Sequence, residues 1–235
     1  MRIILSILIF ISAVFATESN QTNITIKKHK QMIVIISDDY NSSNAKLQRY
    51  FLKDSKWQQI GKRIEIKIGK NGMGWGLGLH ETPTDATIIK KEGDGKSPIG
   101  IFELGYAFGY EQYNANYPYF VMQEHHHCVD DVNSMFYNQI INSNIKIVKD
   151  YTSYEAMKFP ANYYQYGIVV KHNPDNIPSR GSCIFMHIKS IPTSGCDAMS
   201  EDQIKEIISW LDVKSNPILV QAPKNEINKL LKQVK

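Results

Sequence analysis

His187 and Cys196 are the two residues of this chain whose types and spacing could do chemistry. His187 lies inside the apolar run Cys183–Ile188, and Cys196 follows the turn-forming residues Pro192-Thr193-Ser194-Gly195. A thiol attacks as the thiolate, and an ordinary pKa of about 8.5 leaves only a few per cent ionised at neutral pH. A histidine within reach can take that proton and return it to a leaving amine. The pair reads as a nucleophile and its base, suited to acyl transfer through a thioester. Gly195 removes a side chain beside the thiol, so backbone N–H groups could support an oxyanion there. His172 ends a neighbouring apolar run and could add a polar group at the same mouth. A histidine in an apolar strand is also a common hydrogen-bonded core residue, so geometry decides between the readings.

These residues need rigid elements behind them. The run around His187 reads as a buried strand and Tyr166–Val170 as another. Met32–Ile36 is a β-branched run of the central-strand kind. Ile64, Ile66 and Ile68 alternate with charged residues, as in a half-buried strand. Lys53-Asp54-Ser55-Lys56 reads as a hairpin turn, and Gly93–Phe102 as a turn entering a strand with Pro98 at its mouth. Tyr106–Tyr119 reads as an aromatic loop at the rim of the core. Asp130–Ile141 reads as a short helix or turn. Ser200 with Gln203 forms a capping box, and Ile204, Ile207, Ile208 and Leu211 follow at helical spacing, with Pro217 as the stop. The positive end of that helix is expected to favour a negative sulfur at Cys196. Ile218–Val220 reads as a last strand. Ile227, Leu230, Leu231 and Val234 repeat a helical stripe. The whole is expected to be a mainly β domain with peripheral helices.

Several function classes are weakened by composition. The chain has 235 residues, 43% of them hydrophobic, and a net charge of +4. No basic run reaches the density of a nucleic-acid patch, and Lys27-Lys28-His29-Lys30 reads as a solvated lead-in. Gly69–Gly78 is glycine-rich but lacks the spacing of a phosphate-binding loop. His125-His126-His127 cannot all face one metal in an extended chain, so solvated surface histidines are expected, as is a surface position for His80. No metal and no cofactor is expected. Met1-Arg2, the apolar stretch Ile3–Phe15 and Ala16 form a secretory signal pattern, with cleavage expected after Ala16 and export to a periplasm or cell wall. No later stretch is apolar enough to span a membrane. The three cysteines then leave at least one unpaired. Cys128 and Cys183 are expected as small buried hydrophobes, with a bridge between them as the alternative.

Several separated motifs carry a family resemblance. They are Lys91–Phe102, Cys128-Val129-Asp130-Asp131 with Tyr137-Asn138, and Tyr166–Val170 with His172-Asn173. The last is Arg180–His187 followed by Pro192-Thr193-Ser194-Gly195-Cys196. In this order they resemble the L,D-transpeptidase (YkuD-like) catalytic domain, in the branch with Phe-Leu/Met-His followed by Pro-Thr-x-Gly-Cys. The resemblance spans residues 32–221, between a lead-in at 17–31 and an amphipathic tail at 222–235. It implies a β-sandwich or barrel-like fold and acyl transfer on peptidoglycan stem peptides. Cys196 would expel a terminal D-alanine, and His187 would be base and acid. The thioester would pass to an amine as a cross-link or to water as carboxypeptidase trimming. The resemblance also implies that a backbone carbonyl orients the histidine, with Ile188 the candidate; Gly195 and Ser194 are the candidates for oxyanion or backbone support. The wider family carries Ser-His-Gly-Cys and an arginine or asparagine near the cysteine, where this chain has Ser194 and Asp197. Arg180, Lys171 and Lys189 are the candidates to replace that arginine against the substrate carboxylate. A wall-binding protein with a dead site is the reading from another class.

Overall fold

The computed structural model describes residues 29–145 and 148–234. The signal segment 1–16 and most of the lead-in fall outside these residues. Among the described residues, thirteen strands and two short α-helices follow one another. The central apolar run forms β1 (Gln31–Ser37). It continues into a long hairpin, β2 (Asn44–Lys53) and β3 (Lys56–Lys67). Lys53 pairs with Lys56 across the turn, and Asp54 and Ser55 take positive φ, as a two-residue hairpin with right-handed strand twist requires. β4 (Met73–Trp75) lies beside β5 (Ser97–Gly109). Later come β10 (Tyr166–Val170), β11 (Phe185–Ile188), β12 (Asp197–Met199) and β13 (Ile218–Pro223).

These strands close on themselves. The order β10-β11-β12-β3-β2-β1-β13-β5 returns to its start because β10 also pairs with β5, so the mixed sheet forms a ring. A ring leaves no long edge exposed along this path. β6 (Tyr119–Val121) pairs in parallel with the end of β5. A separate three-stranded antiparallel sheet, β8 (Ile140–Asn142), β7 (His126–Val129) and β9 (Tyr154–Ala156), forms a cap. The mainly β architecture with few helices matches the expected class.

Helix α1 (Glu201–Trp210) begins at Ser200 with the full reciprocal capping box. It ends earlier than Pro217 suggested. Leu211 turns extended and is fully buried, and Asp212 then caps the short turn Val213–Ser215. α2 (Ile227–Leu231) and the turn after it bury Ile227, Leu230 and Val234 in the same core as β1 and β13, so residues 222–234 pack as part of the domain. The boundary at 221/222 falls inside β13.

Two apolar clusters fill the molecule. The larger collects β1, β5, β13, α1 and α2. The smaller lies between the ring and the cap. It joins Phe108, Met122, Cys128, Met157, Tyr164, Cys183, Phe185 and Cys196. Tyr106–Gly109, expected in a loop, is the end of β5, and Phe108 is completely buried in this second cluster. Strand alternation explains this: the long β5 spans both clusters and turns successive residues to opposite faces.

Candidate active site

β11 is the element that positions the histidine. Its residues alternate, with Met186 and Ile188 in the larger cluster and Phe185 in the smaller. His187 shares the Phe185 face, where the Tyr164 ring packs edge-on against it at 5.2 Å. The His187 Nδ1–H donates to the Ile188 carbonyl at 3.1 Å. A carbonyl only accepts, so Nδ1 carries the proton and Nε2 keeps a lone pair.

β12 runs parallel to β11, with Met186 opposite Asp197 and His187 opposite Ala198. Cys196 therefore enters beside Phe185, on the His187 face and one same-face step away, about 7 Å along the strand. The Pro192–Cys196 loop is pinned from both sides. Thr193 Oγ1 donates to the Cys196 carbonyl at 2.6 Å and accepts the Gly195 N–H at 3.1 Å. Ser97 at the head of β5 donates to the Gly195 carbonyl at 2.7 Å. Gly195 has φ +153°, and a Cβ there would sit 3.0 Å from the Lys96 carbonyl. The segment at Lys96-Ser97 thus holds the cysteine loop by direct contact.

The thiol is the single unbridged cysteine, 7% exposed. It donates to the Cys183 carbonyl at 3.4 Å and accepts the Phe185 N–H at 3.3 Å. Burial raises its pKa well above the ordinary value, and the charge of Glu155 adds to this. Burial also lowers His187 to about 4, with the charge of Lys189 adding to this and the backbone carbonyls of Ile188 and Tyr163 pulling the other way. The resting pair is thus neutral: a thiol and an imidazole.

Several expectations need correction. Cys128 and Cys183 are bridged, with Cα atoms 6.0 Å apart, because β7 of the cap lies directly over the start of β11. The Gly195 N–H is taken by Thr193 and does not face an open oxyanion position. Ser194 is exposed at the bend of the loop. The α1 N-terminus is separated from the sulfur by β12, roughly 13 Å of extended chain, too far for its dipole to act strongly. His172 is no mouth residue. It is 2% exposed, accepts the Leu77 N–H at 3.3 Å and donates to the Arg180 carbonyl at 2.9 Å. Lys171 pairs with Glu103 at 3.0 Å and lines a separate surface cavity of about 370 Å³ with His29 and Phe120. His80 is buried and accepts the Ile101 N–H at 3.1 Å. His29 is buried against the Asn216 carbonyl. His127 is buried and stacks on Tyr154 at 3.8 Å. Among the described residues, no cluster of His, Cys, Asp and Glu could hold a metal ion.

Asp197 lies on the opposite side of β12 from the thiol, in register with Met186 of the larger cluster. It is fully buried, and burial raises it to about 8, with the Ser97 hydroxyl working the other way. Arg180 and Lys189 stand on either side of β11. Lys189 Nζ lies 5.0 Å over the Tyr163 ring. Arg180 Nε is buried with no hydrogen-bond partner among the described residues.

Sequence reasoning missed Glu155 and Tyr164. The Tyr164 hydroxyl donates to Glu155 Oε2, and burial raises Glu155 to about 7. Tyr164 touches both the His187 and Phe185 rings. The only local signal was the richness in aromatics of the 151–166 segment. A second network also emerged. Tyr137 donates to Glu92 at 2.5 Å, and Ser182 donates to the same Glu92 oxygen at 2.7 Å. Asn138 accepts the Cys183 N–H at 3.0 Å.

No family profile and no curated protein matches the chain. Among solved structures, the chain is similar to the helical cell shape determining protein Pgp2 from Campylobacter jejuni. The identity is 14%, over 84% of this chain and 50% of that one, with a TM-score of 0.41. A point mutant of the same protein matches at 14% identity, over 90% of this chain and 54% of that one, with a TM-score of 0.43. The chain spans about half the length of these neighbours. No helix among the described residues is long and apolar enough to cross a membrane.

Proposed function

We propose that the chain is an exported, cysteine-dependent acyltransferase of the L,D-transpeptidase (YkuD-like) kind, acting on peptidoglycan stem peptides. One observation carries the reading. His187 on β11 and Cys196, the residue that leads into the parallel neighbour β12, fall on the same face by the strand register, with His187 Nδ1 committed to the Ile188 carbonyl and Nε2 proposed as the base. The order of the motifs along the chain supports the same family.

The steps follow from these groups. His187 Nε2 accepts the Cys196 proton as Sγ bonds to the carbonyl carbon of the stem-peptide diamino acid. The bond to the terminal D-alanine nitrogen breaks, and His187 returns the proton to that amine. An acceptor then attacks the thioester and gives its proton to His187, and the sulfur leaves as thiol. An amine acceptor yields a cross-link and water yields a tripeptide. The Phe185 N–H, directed at the sulfur, stabilises its anionic form. Arg180 and Lys189 are the candidates to hold the terminal carboxylate. The buried neutral resting pair implies that substrate entry must open the cap.

Purified tetrapeptide muropeptides test the reading. The wild-type protein is expected to release D-alanine, and Cys196→Ala to release none. Mass spectrometry of the products separates dimers from tripeptides. Undiminished release by Cys196→Ala overturns the assignment.

A further inference from the structure

The Cys128–Cys183 bridge joins the two parts of the molecule that meet at the nucleophile. Cys128 is the middle residue of the cap, paired with Ile140 on β8 and Glu155 on β9. Cys183 stands just before β11, and its carbonyl is the group that accepts the Cys196 S–H. All three cysteines share one buried cluster.

Cys183 is held in an uncommon backbone state. Its φ is +54°, a left-handed conformation that a residue with a Cβ adopts only when its surroundings impose it. The constraints are visible. Asn138 accepts its N–H at 3.0 Å, the bridge ties its side chain to β7, and the Val170 N–H holds the next carbonyl at 2.9 Å. Asn138 itself sits at φ +61° and donates to the carbonyls of His172 and Asn173. The turn that aims a carbonyl at the nucleophile is therefore secured by one covalent link and a short chain of hydrogen bonds.

We propose that Cys183 is a positioning residue for Cys196, and that its bridge to Cys128 holds the cap closed over the thiol, making the site responsive to thiol–disulfide exchange. The proposal rests on Cys196 being the nucleophile of the proposed reaction. A dithiol reductant supplies the co-reactant. Two electrons and two protons pass to the bridge, the Sγ–Sγ bond breaks, two thiols form and the reductant closes its own disulfide. Cys183 is then released from β7, its carbonyl leaves the Cys196 S–H, and the cap loosens. The thiol loses the acceptor that favours its protonated form and gains access to solvent.

Alkylation by iodoacetamide reads this without any wall substrate, so it stays informative if the acyl-transfer reading fails. In the paired variant Cys128→Ser with Cys183→Ser, Cys196 is the only thiol left. Its alkylation at pH 7 is expected to rise at least about tenfold over the oxidised wild type, with the pH midpoint moved down. The wild type reduced with dithiothreitol, followed at the Cys196 peptide by mass spectrometry, provides the same reading if the variant does not fold. Tryptophan fluorescence reports whether the ring stays folded. An unchanged rate and midpoint in the folded, bridge-free protein overturns the proposal. So does a rise that appears only with global unfolding.

Discussion

The two faces of β11 open onto interiors of different kinds. Met186 and Ile188 enter a cluster made largely of isoleucine, leucine and valine from the ring and α1. Phe185 and its neighbours enter a smaller cluster of aromatics, methionines and cysteines beneath the cap. The first is closed by sheet hydrogen bonds on a continuous ring. The second is closed by one disulfide, the Tyr164–Glu155 contact and the Glu92–Tyr137–Ser182 network. A cluster assembled from separate loops can open locally while the ring stays intact. One strand thus separates the interior that holds the fold from the interior that holds the thiol.

The sharpest test of that separation is a pair of substitutions on its two sides. His187→Gln is expected to lower D-alanine release by about 10³-fold or more while the melting temperature moves only a few degrees. Leu219→Ala, near the start of β13, is expected to cost about 2–5 kcal/mol by leaving a cavity in a fully buried site. Its folded fraction is expected to keep near-normal kcat/KM. If Leu219→Ala abolished kcat without unfolding the chain, the division would break.

Titration offers a smaller effect with a distinct shape. His80, His172 and His187 are lowered to about 4 by burial, from an unfolded value of 6.5. Stability from keeping them neutral is present above 6.5 and is lost as pH falls towards 4. Each contributes up to about 3 kcal/mol. Glu155 and Asp197 run the other way. Their folded values are raised to about 7 and about 8, so their contribution is present at low pH and is lost as pH rises through those values. Thermal unfolding followed across pH is expected to show a maximum near pH 6.5, falling on both sides. Flat stability from pH 6.5 to 8 would contradict the buried, protonated carboxyls.

The smallest effect isolates the main cluster. Asp197→Asn replaces a carboxylic acid that must stay protonated with a neutral isostere. It is expected to raise the melting temperature more at pH 8 than at pH 5, because the wild-type penalty grows as pH rises from the ordinary carboxyl value of 3.8 towards the folded value of about 8. Activity is expected to change little, because Asp197 faces away from the sulfur. A large loss of kcat at pH 6 would place Asp197 in the chemistry.

Local patterns were legible where the chain makes its own contacts. The capping box at Ser200 and Gln203 and the turn at Asp54-Ser55 need only neighbours in sequence, and both stand in the structure. The placement of His187 on a buried strand and Cys196 after a turn was also readable, because an apolar run and a Pro-Thr-Ser-Gly cluster are short-range signals. What escaped depends on chain closure. The burial of His80 follows from β5 lying against its loop, and that of His172 from the Leu77 and Arg180 backbone. The disulfide spans 55 residues, and nothing near Cys128 announces Cys183. Glu155 and Tyr164 matter only because the cap folds over β11. The end of α1 was misplaced because Leu211 is fully buried in extended form, a packing preference that a distant proline does not report.

The central claim is that Cys196 carries the acyl group. Intact-protein mass spectrometry after brief incubation with a tetrapeptide muropeptide, quenched in acid, tests it most directly. The wild-type protein is expected to gain the mass of the substrate less D-alanine. The adduct should map to the Cys196 peptide and be absent from Cys196→Ala, which releases no D-alanine. Release of D-alanine by Cys196→Ala at the wild-type rate would contradict the account.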